Sequence, residues 1–301
     1  MRVEFVPFSR SSAPERAVLR AERRGFHVRV VLSSGSEGWG EVSPLPGFSR
    51  ETTELAHREL MAVAEGAPFA SMSPSVQFGL SSARERALRA EGSGDADLAA
   101  LPVNGLVTDL GRLDADLERA EKQGIEVVKL KVGRPGCLER ELSAGDIIGR
   151  SFRLRLDANR AFSGIWKHVA VRWQALRPEL FEEPAPWYEV GPDADRIALG
   201  WDETTREVEP VMVPEAAPAA VVLKPTLLGS VDVVRDWAKW AKDQGADVII
   251  THAYESEVGL RVLYELALEL GSSNRAQGLL PHRFVDSSAG PRVERGKLFW
   301  P

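Results

Sequence analysis

The sequence predicts an α/β fold, a (β/α)7β-type TIM barrel with an α+β capping domain, and three observations carry that prediction. From about residue 100 onward, apolar strand-like runs alternate with helix-like stretches, which implies a parallel sheet. Five successive runs, at 127–131, 154–157, 180–183, 198–202 and 220–224, finish on ionisable residues. Lys131, Asp157, Glu182, Asp202 and Lys224 follow one another at intervals of 26, 25, 20 and 22 residues, each one strand-helix unit. Groups at consecutive strand ends converge only if the sheet closes on itself, so a barrel is expected rather than an open sheet.

Residues 1–99 read as the capping domain. Phe26, Val28, Val30 and Leu32 alternate with His27, Arg29 and Val31, and Gly38-Trp39-Gly40-Glu41-Val42 follows a Ser/Gly turn, the pattern of an antiparallel hairpin or meander. Residues 43–49, Ser-Pro-Leu-Pro-Gly-Phe-Ser, form a loop, with Ser49 expected as the N-cap of a helix running towards Gly66. Val76, Leu80, Ala83 and Ala87 recur at helical spacing and predict a helix over 75–90. Glu91-Gly92-Ser93-Gly94-Asp95 reads as the linker.

The barrel domain covers 100–280, with strands expected at 102–107, 125–132, 152–157, 179–182, 197–202, 219–224 and 246–250. Leu113, Leu117 and Ala120 make a helical stripe stopped by Gly124, and further helices are expected near 138–148, 165–176, 205–213, 231–244 and 258–270. The tail, 281–301, looks loop-like and is expected to rejoin the capping domain.

Composition removes several functions. Lys plus Arg is 38 and Asp plus Glu is 44, a formal charge of −6 with no long block of one sign, so nothing asks for nucleic acid or an anionic membrane. No run approaches the roughly 20 apolar residues of a membrane helix. Met1-Arg2-Val3-Glu4-Phe5 has an early acid and no apolar h-region. Cys137 is the single cysteine and has no internal disulfide partner, which fits a reducing compartment. Walker A and GxGxxG patterns are absent. A cytoplasmic protein is expected.

Asp157, Glu182 and Asp202, at the ends of three adjacent strands, are hard oxygen donors suited to Mg²⁺ or Mn²⁺. Glu182 and Glu183 compete for one place, because neighbours on a strand face opposite ways. Lys129 and Lys131 share a strand face, opposite the Leu/Val face, and are expected inside the barrel. Burial and like charge would lower a lysine pKa and make it a usable base. Lys224 ends a strand across from them. A divalent cation facing lysines suits removal of a proton from carbon next to a carboxylate.

Lys-x-Lys, Leu-Asp-Ala-Asn, Glu-Glu-Pro, Trp-Asp-Glu and Val-Leu-Lys-Pro-Thr together resemble the enolase superfamily, whose use of a lysine base with Mg²⁺ is a known example of site tuning. Residues 38–49, 154–161 and 224–230 are similar, nearly position for position, to the o-succinylbenzoate synthase family. That resemblance implies Mg-dependent dehydration of 2-succinyl-6-hydroxy-2,4-cyclohexadiene-1-carboxylate in menaquinone synthesis, by a monomer or small homo-oligomer acting on a small carboxylate. It implies Lys131 as the base and then the acid, Lys129 as its support, and Lys224 as a charge and cation–π partner of the enediolate. It also selects Glu182 over Glu183 to join Asp157 and Asp202 on the metal. The loop holding Pro46, Gly47 and Phe48 would close over the substrate, with Arg155, Asn159 and Ser256 as further contacts. Thr251-His252-Ala253-Tyr254-Glu255-Ser256 departs from the serine run common in that family. N-acylamino-acid racemases and dipeptide epimerases share this lysine and metal arrangement, and a non-catalytic barrel scaffold is the rival of another class.

Overall fold

The computed structural model describes residues 1–11, 22–92, 99–190, 197–209, 217–282, 285 and 290–300. Residues 93–95 of the expected linker, 210–213 of the expected helix, and 283, 284, 286–289 and 301 of the tail lie outside these.

The chain begins with an antiparallel sheet, β1 (Arg2–Ser11), β2 (Glu22–Val31) and β3 (Glu37–Val42), in that spatial order. The β2–β3 hairpin agrees with the alternation in the sequence. β1, whose weak alternation gives no strand signal in the sequence, pairs with β2 over ten residues, from Arg2 opposite Val31 to Ser11 opposite Glu22. Its Pro7 is tolerated because the strand lies at the sheet edge.

Two helices, α1 (Thr53–Ala64) and α2 (Pro74–Gly92), cover one face and bury Phe26, Val28, Val30, Val42, Leu60, Val76 and Leu80 with it. Glycine lets α2 lie directly on β3: a Cβ at Gly40 would stand 2.2 Å from the Gly79 carbonyl oxygen. α1 starts from Thr52, whose side chain accepts from the Leu55 amide. Ser49, the expected cap, instead accepts from the Leu45 amide and closes the 45–49 turn.

Strands and helices then alternate: β4 (Leu101–Pro102), β5 (Gly105–Val107), α3 (Leu113–Lys122), β6 (Val127–Lys131), α4 (Leu138–Gly149), β7 (Arg153–Asp157), α5 (Trp166–Gln174), β8 (Leu180–Glu182), α6 (Trp187–Val190), β9 (Leu199–Trp201), α7 (Thr204–Glu207), β10 (Ala220–Leu223), α8 (Pro225–Leu228), α9 (Val231–Asp243), β11 (Asp247–Ile250) and α10 (Glu257–Leu270). β5 to β11 form one parallel sheet in sequence order. Two residues close it. Gln277 bridges to Val103 and Gly278 to Thr251, both in parallel, so a very short eighth rung joins the first strand to the seventh.

The period of two along each strand sorts the side chains. Val128, Leu130, Leu154, Leu156 and Phe181 face the helices, where Phe181 packs against Phe162, Trp166 and Trp173. Leu180, Ala220, Val222 and Ile249 pack with one another on the opposite, inner face. In the tail, β12 (Arg292–Glu294) and β13 (Lys297–Phe299) pair together, and β13 pairs with β4 at the N-terminal end of the first barrel strand. Residues 292–299 thus form a hairpin, not an irregular loop, and it extends a barrel strand rather than the β1–β3 sheet. No helix among the described residues is long and apolar enough to cross a membrane.

Candidate active site

Strand register brings the charged groups level with one another. Lys131 stands opposite Asp157, Asp157 opposite Glu182, and Glu182 opposite Gly200, two residues before Asp202. Lys129 and Lys131 are two apart on β6, as Arg155 and Asp157 are on β7, so each pair shares the inner face. Lys224 follows the inward Val222 by two and is the N-cap residue of α8.

The six groups form two bonded sets. Lys129 Nζ lies 2.9 Å from Glu182 Oε2 and 3.1 Å from Asp157 Oδ2, Lys131 Nζ lies 3.0 Å from Asp157 Oδ1, and Lys224 Nζ donates to Asp202 Oδ2. Burial opposes the charge of Lys129 and of Lys224, but their carboxylate neighbours outweigh it and hold both pKa values above the ordinary lysine range. The lowering expected from burial and like charge is thereby reversed at these two residues. Asp157 is likewise opposed by burial yet held below the ordinary carboxylate range by Lys129, Lys131 and Lys224. Glu182, the most enclosed, is raised by burial despite Lys129.

The two glutamates at the end of β8 have separate tasks. Glu182 points into the lysine–carboxylate group, whereas Glu183 accepts from Arg160 (2.9 and 2.7 Å), the Asp202 amide (2.9 Å) and Thr204 Oγ1 (2.5 Å). Among the described residues no three Asp, Glu, His or Cys side chains form a ready cation cage, since Lys129 stands between Asp157 and Glu182. Asp202 Oδ1, however, is buried without a hydrogen-bond partner. A buried anionic oxygen left over, beside two more carboxylates, is donor chemistry that fits a hard divalent cation.

The other expected residues lie around this group. Arg155 is buried one inward position below Asp157, donating to Glu179 Oε1 at 2.9 Å and to the Ala276 carbonyl at 3.2 Å, with Glu182 Oε1 at 3.9 Å. Asn159, in the left-handed region at φ 42°, donates to Glu203 Oε1 at 2.7 Å. Pro46, Gly47 and Phe48 are exposed on a loop whose Leu45 packs against Leu227 and Ala253, beside Lys224. Ser256 caps α10, and its hydroxyl is engaged by Glu41 and His27. His252 stacks edgewise near Tyr254 and His282, and burial, with Lys129 and Lys224 nearby, pushes its pKa down to about 3.

Glu203 was not singled out from the sequence, although it belongs to the Trp-Asp-Glu motif. Burial first and Asp202 second push its carboxyl up to about 7. Arg23, Glu41 and Arg160 carry no signal in the sequence, because their roles depend on partners far away along the chain.

A closed (β/α) barrel that gathers carboxylates and lysines at its C-terminal strand ends, beside a loop from an α+β unit, defines a member of the enolase superfamily. Residues 15–87 match the family described as MenC, N-terminal domain. The chain is 35% identical over 263 residues to o-succinylbenzoate synthase of Citrobacter koseri, covering 81% of this chain and 79% of that protein. It is 37% identical over 259 residues to the Klebsiella pneumoniae enzyme of the same name, covering 81% and 79%. Among solved structures, MenC from Desulfotalea psychrophila superposes with a TM-score of 0.79 at 22% identity over 99% of both chains. The o-succinylbenzoate synthase of Thermosynechococcus elongatus, complexed with Mg in its active site, gives 0.70 at 22% identity over 92% of both. The chain belongs to the o-succinylbenzoate synthase family.

Proposed function

We propose that this lyase dehydrates 2-succinyl-6-hydroxy-2,4-cyclohexadiene-1-carboxylate to 2-succinylbenzoate in menaquinone biosynthesis. The observation that carries the reading is the lysine pair and lone lysine on two sides of three inward carboxylates, in a chain of this family. Racemase, epimerase and scaffold readings are not favoured, since the relatives at 35–37% identity bear the synthase name.

Lys131 has the most exposed side chain of the three, 31% against 12% for Lys129 and 15% for Lys224, and is the proton carrier. It takes the proton from the carbon next to the substrate carboxylate. It then returns that proton to the departing hydroxyl, so one C–H and one C–O bond break, a ring double bond forms, and water leaves. Lys129, held charged between Asp157 and Glu182, keeps those carboxylates in place. Lys224, held charged by Asp202, stabilises the enediolate from the other side and meets the ring by cation–π contact. Asp157, Glu182 and Asp202 would hold Mg²⁺, for which Mn²⁺ is a substitute, and the bound ion supplies Lewis-acid withdrawal of charge from the substrate carboxylate. Pro46, Gly47 and Phe48 meet the substrate at the rim, while Arg155, Asn159 and Ser256 bear on it through the groups they hold. We take 1–99 as the capping domain and 100–280 as the catalytic barrel. On this reading the enzyme works in the cytoplasm, as a monomer or small homo-oligomer, without nucleic-acid or membrane partners.

The test is ultraviolet absorbance of the diene during incubation with Mg²⁺, with EDTA, and with Lys131→Ala. The expected result is loss of diene only with metal and Lys131, with kcat of the variant lower by about 10³. A diene that persists with the intact, Mg-loaded protein overturns the assignment.

A further inference from the structure

Arg23, on β2, is 3% exposed and makes four hydrogen bonds, all to main-chain carbonyls. Nη1 donates to Pro44 at 2.5 Å and Nη2 to Ser43 at 2.5 Å, both at the base of the 43–48 loop. Nη2 also donates to Ala253 at 3.2 Å and Nε to Tyr254 at 3.1 Å, in the loop that follows β11. One planar fork therefore ties a loop of the first unit to a loop of the barrel.

Burying a cation is costly unless it satisfies groups that would otherwise be orphaned, and here it satisfies four carbonyls. A guanidinium suits this arrangement because its five donors are fixed in one plane, whereas an ammonium offers three in a cone. A second contact of the same kind adjoins it. The carboxylate of Glu41, on β3, accepts from the amides of Ser256 and Gly259 at 3.0 Å and so caps α10 from the first unit. The strap 253–259 is thus gripped at its carbonyls by Arg23 and at its amides by Glu41.

The gripped loops form the rim beside Lys224. Leu45 packs with Leu227 and Ala253, and Arg206 Nη1 donates to the Phe48 carbonyl at 3.4 Å, so the 43–48 loop reaches the segments that follow β9, β10 and β11. We propose that Arg23 is a positioning residue for substrate binding: by joining Ser43 and Pro44 to Ala253 and Tyr254 it sets the shape of this rim. The proposal rests on the synthase reading, in which the rim meets the substrate while Lys131 does the chemistry elsewhere. A displaced rim weakens ground state and transition state alike, so the loss falls on KM rather than kcat.

The test uses Arg23→Met and Arg23→Lys in the full chain with Mg²⁺. Steady-state turnover of the diene is measured together with hydrogen exchange at the Phe48 and Ser49 amides, which both donate to the Leu45 carbonyl. The expected result is KM raised by more than about fivefold in the Met variant and by less in the Lys variant, with kcat within about threefold and faster exchange at both amides. A KM shift below that limit, or a kcat loss larger than the KM rise, overturns it. Should the Met variant fail to fold, the Lys variant, which keeps the charge and stem, decides by the same sign of KM shift and exchange. If the unaltered protein leaves the diene intact, the synthase reading fails, and exchange at Phe48 and Ser49 alone decides on Arg23.

Discussion

Lys129 and Lys224 keep their protons for a reason that their own strands do not contain. Two lysines on one face suggested lowered pKa values, and the opposing carboxylates reverse the direction. Strand pattern shows which face a residue takes; it does not show what stands across the barrel. The same limit applies to Glu182 and Glu183, which are indistinguishable until register sets Asp157 opposite Glu182. Glu183 is then left to Arg160, Thr204 and the Asp202 amide. Glu183→Ala strands a half-buried guanidinium and a buried amide. Urea unfolding should find it less stable by about 3 kcal/mol, the scale for breaking a buried ion pair. A loss within the range of surface substitutions would show that Glu183 is no strut.

Among the elements, the central strands were legible because inward charges interrupt their outward Leu, Val and Phe at a period of two. β1 was hidden by weak alternation and Pro7, and the eighth rung by being two residues long. β3 against α2 was readable only as Gly-Trp-Gly. The contact is backbone against backbone, so Gly40→Ala should cost about 2 kcal/mol through overpacking and lower the thermal midpoint. An unchanged midpoint would mean that α2 shifts freely. Between the units, His27 Nε2 lies 2.9 Å from Ser256 Oγ. Burial lowers the His27 pKa below 6.5, more than the neighbouring Glu41 and Glu257 raise it. Between that lowered value and 6.5 the unfolded chain binds a proton that the folded chain does not. The contribution is therefore complete above that window and lost as pH falls through it. Thermal midpoints from pH 7.5 to about 5.5 should fall, and His27→Gln should flatten part of that slope; an identical slope in the variant would rule the residue out.

Across the whole molecule, the barrel end is electrically self-sufficient: three ammonium groups stand among three carboxylates. EDTA should accordingly abolish turnover without unfolding the protein. Restoring Mg²⁺ to about 100 times its dissociation constant should raise stability by about 2.7 kcal/mol, read as a higher midpoint by calorimetry. A chain that unfolds in EDTA would show that the lysines do not substitute for the ion in holding the fold.

Val103 waits for Gln277, its partner 174 positions later, before the ring is complete. At a synthesis rate of about 5–20 residues per second, the ribosome holds the sheet as an open crescent for roughly ten seconds or more. The start of the first strand is unpaired through that interval, and the β11 edge from its own synthesis until Gly278 arrives. Productive folding in the cell then depends on how long this crescent escapes other chains, and a slower stretch of translation just before codon 277 would lower the yield of active enzyme without changing a single residue.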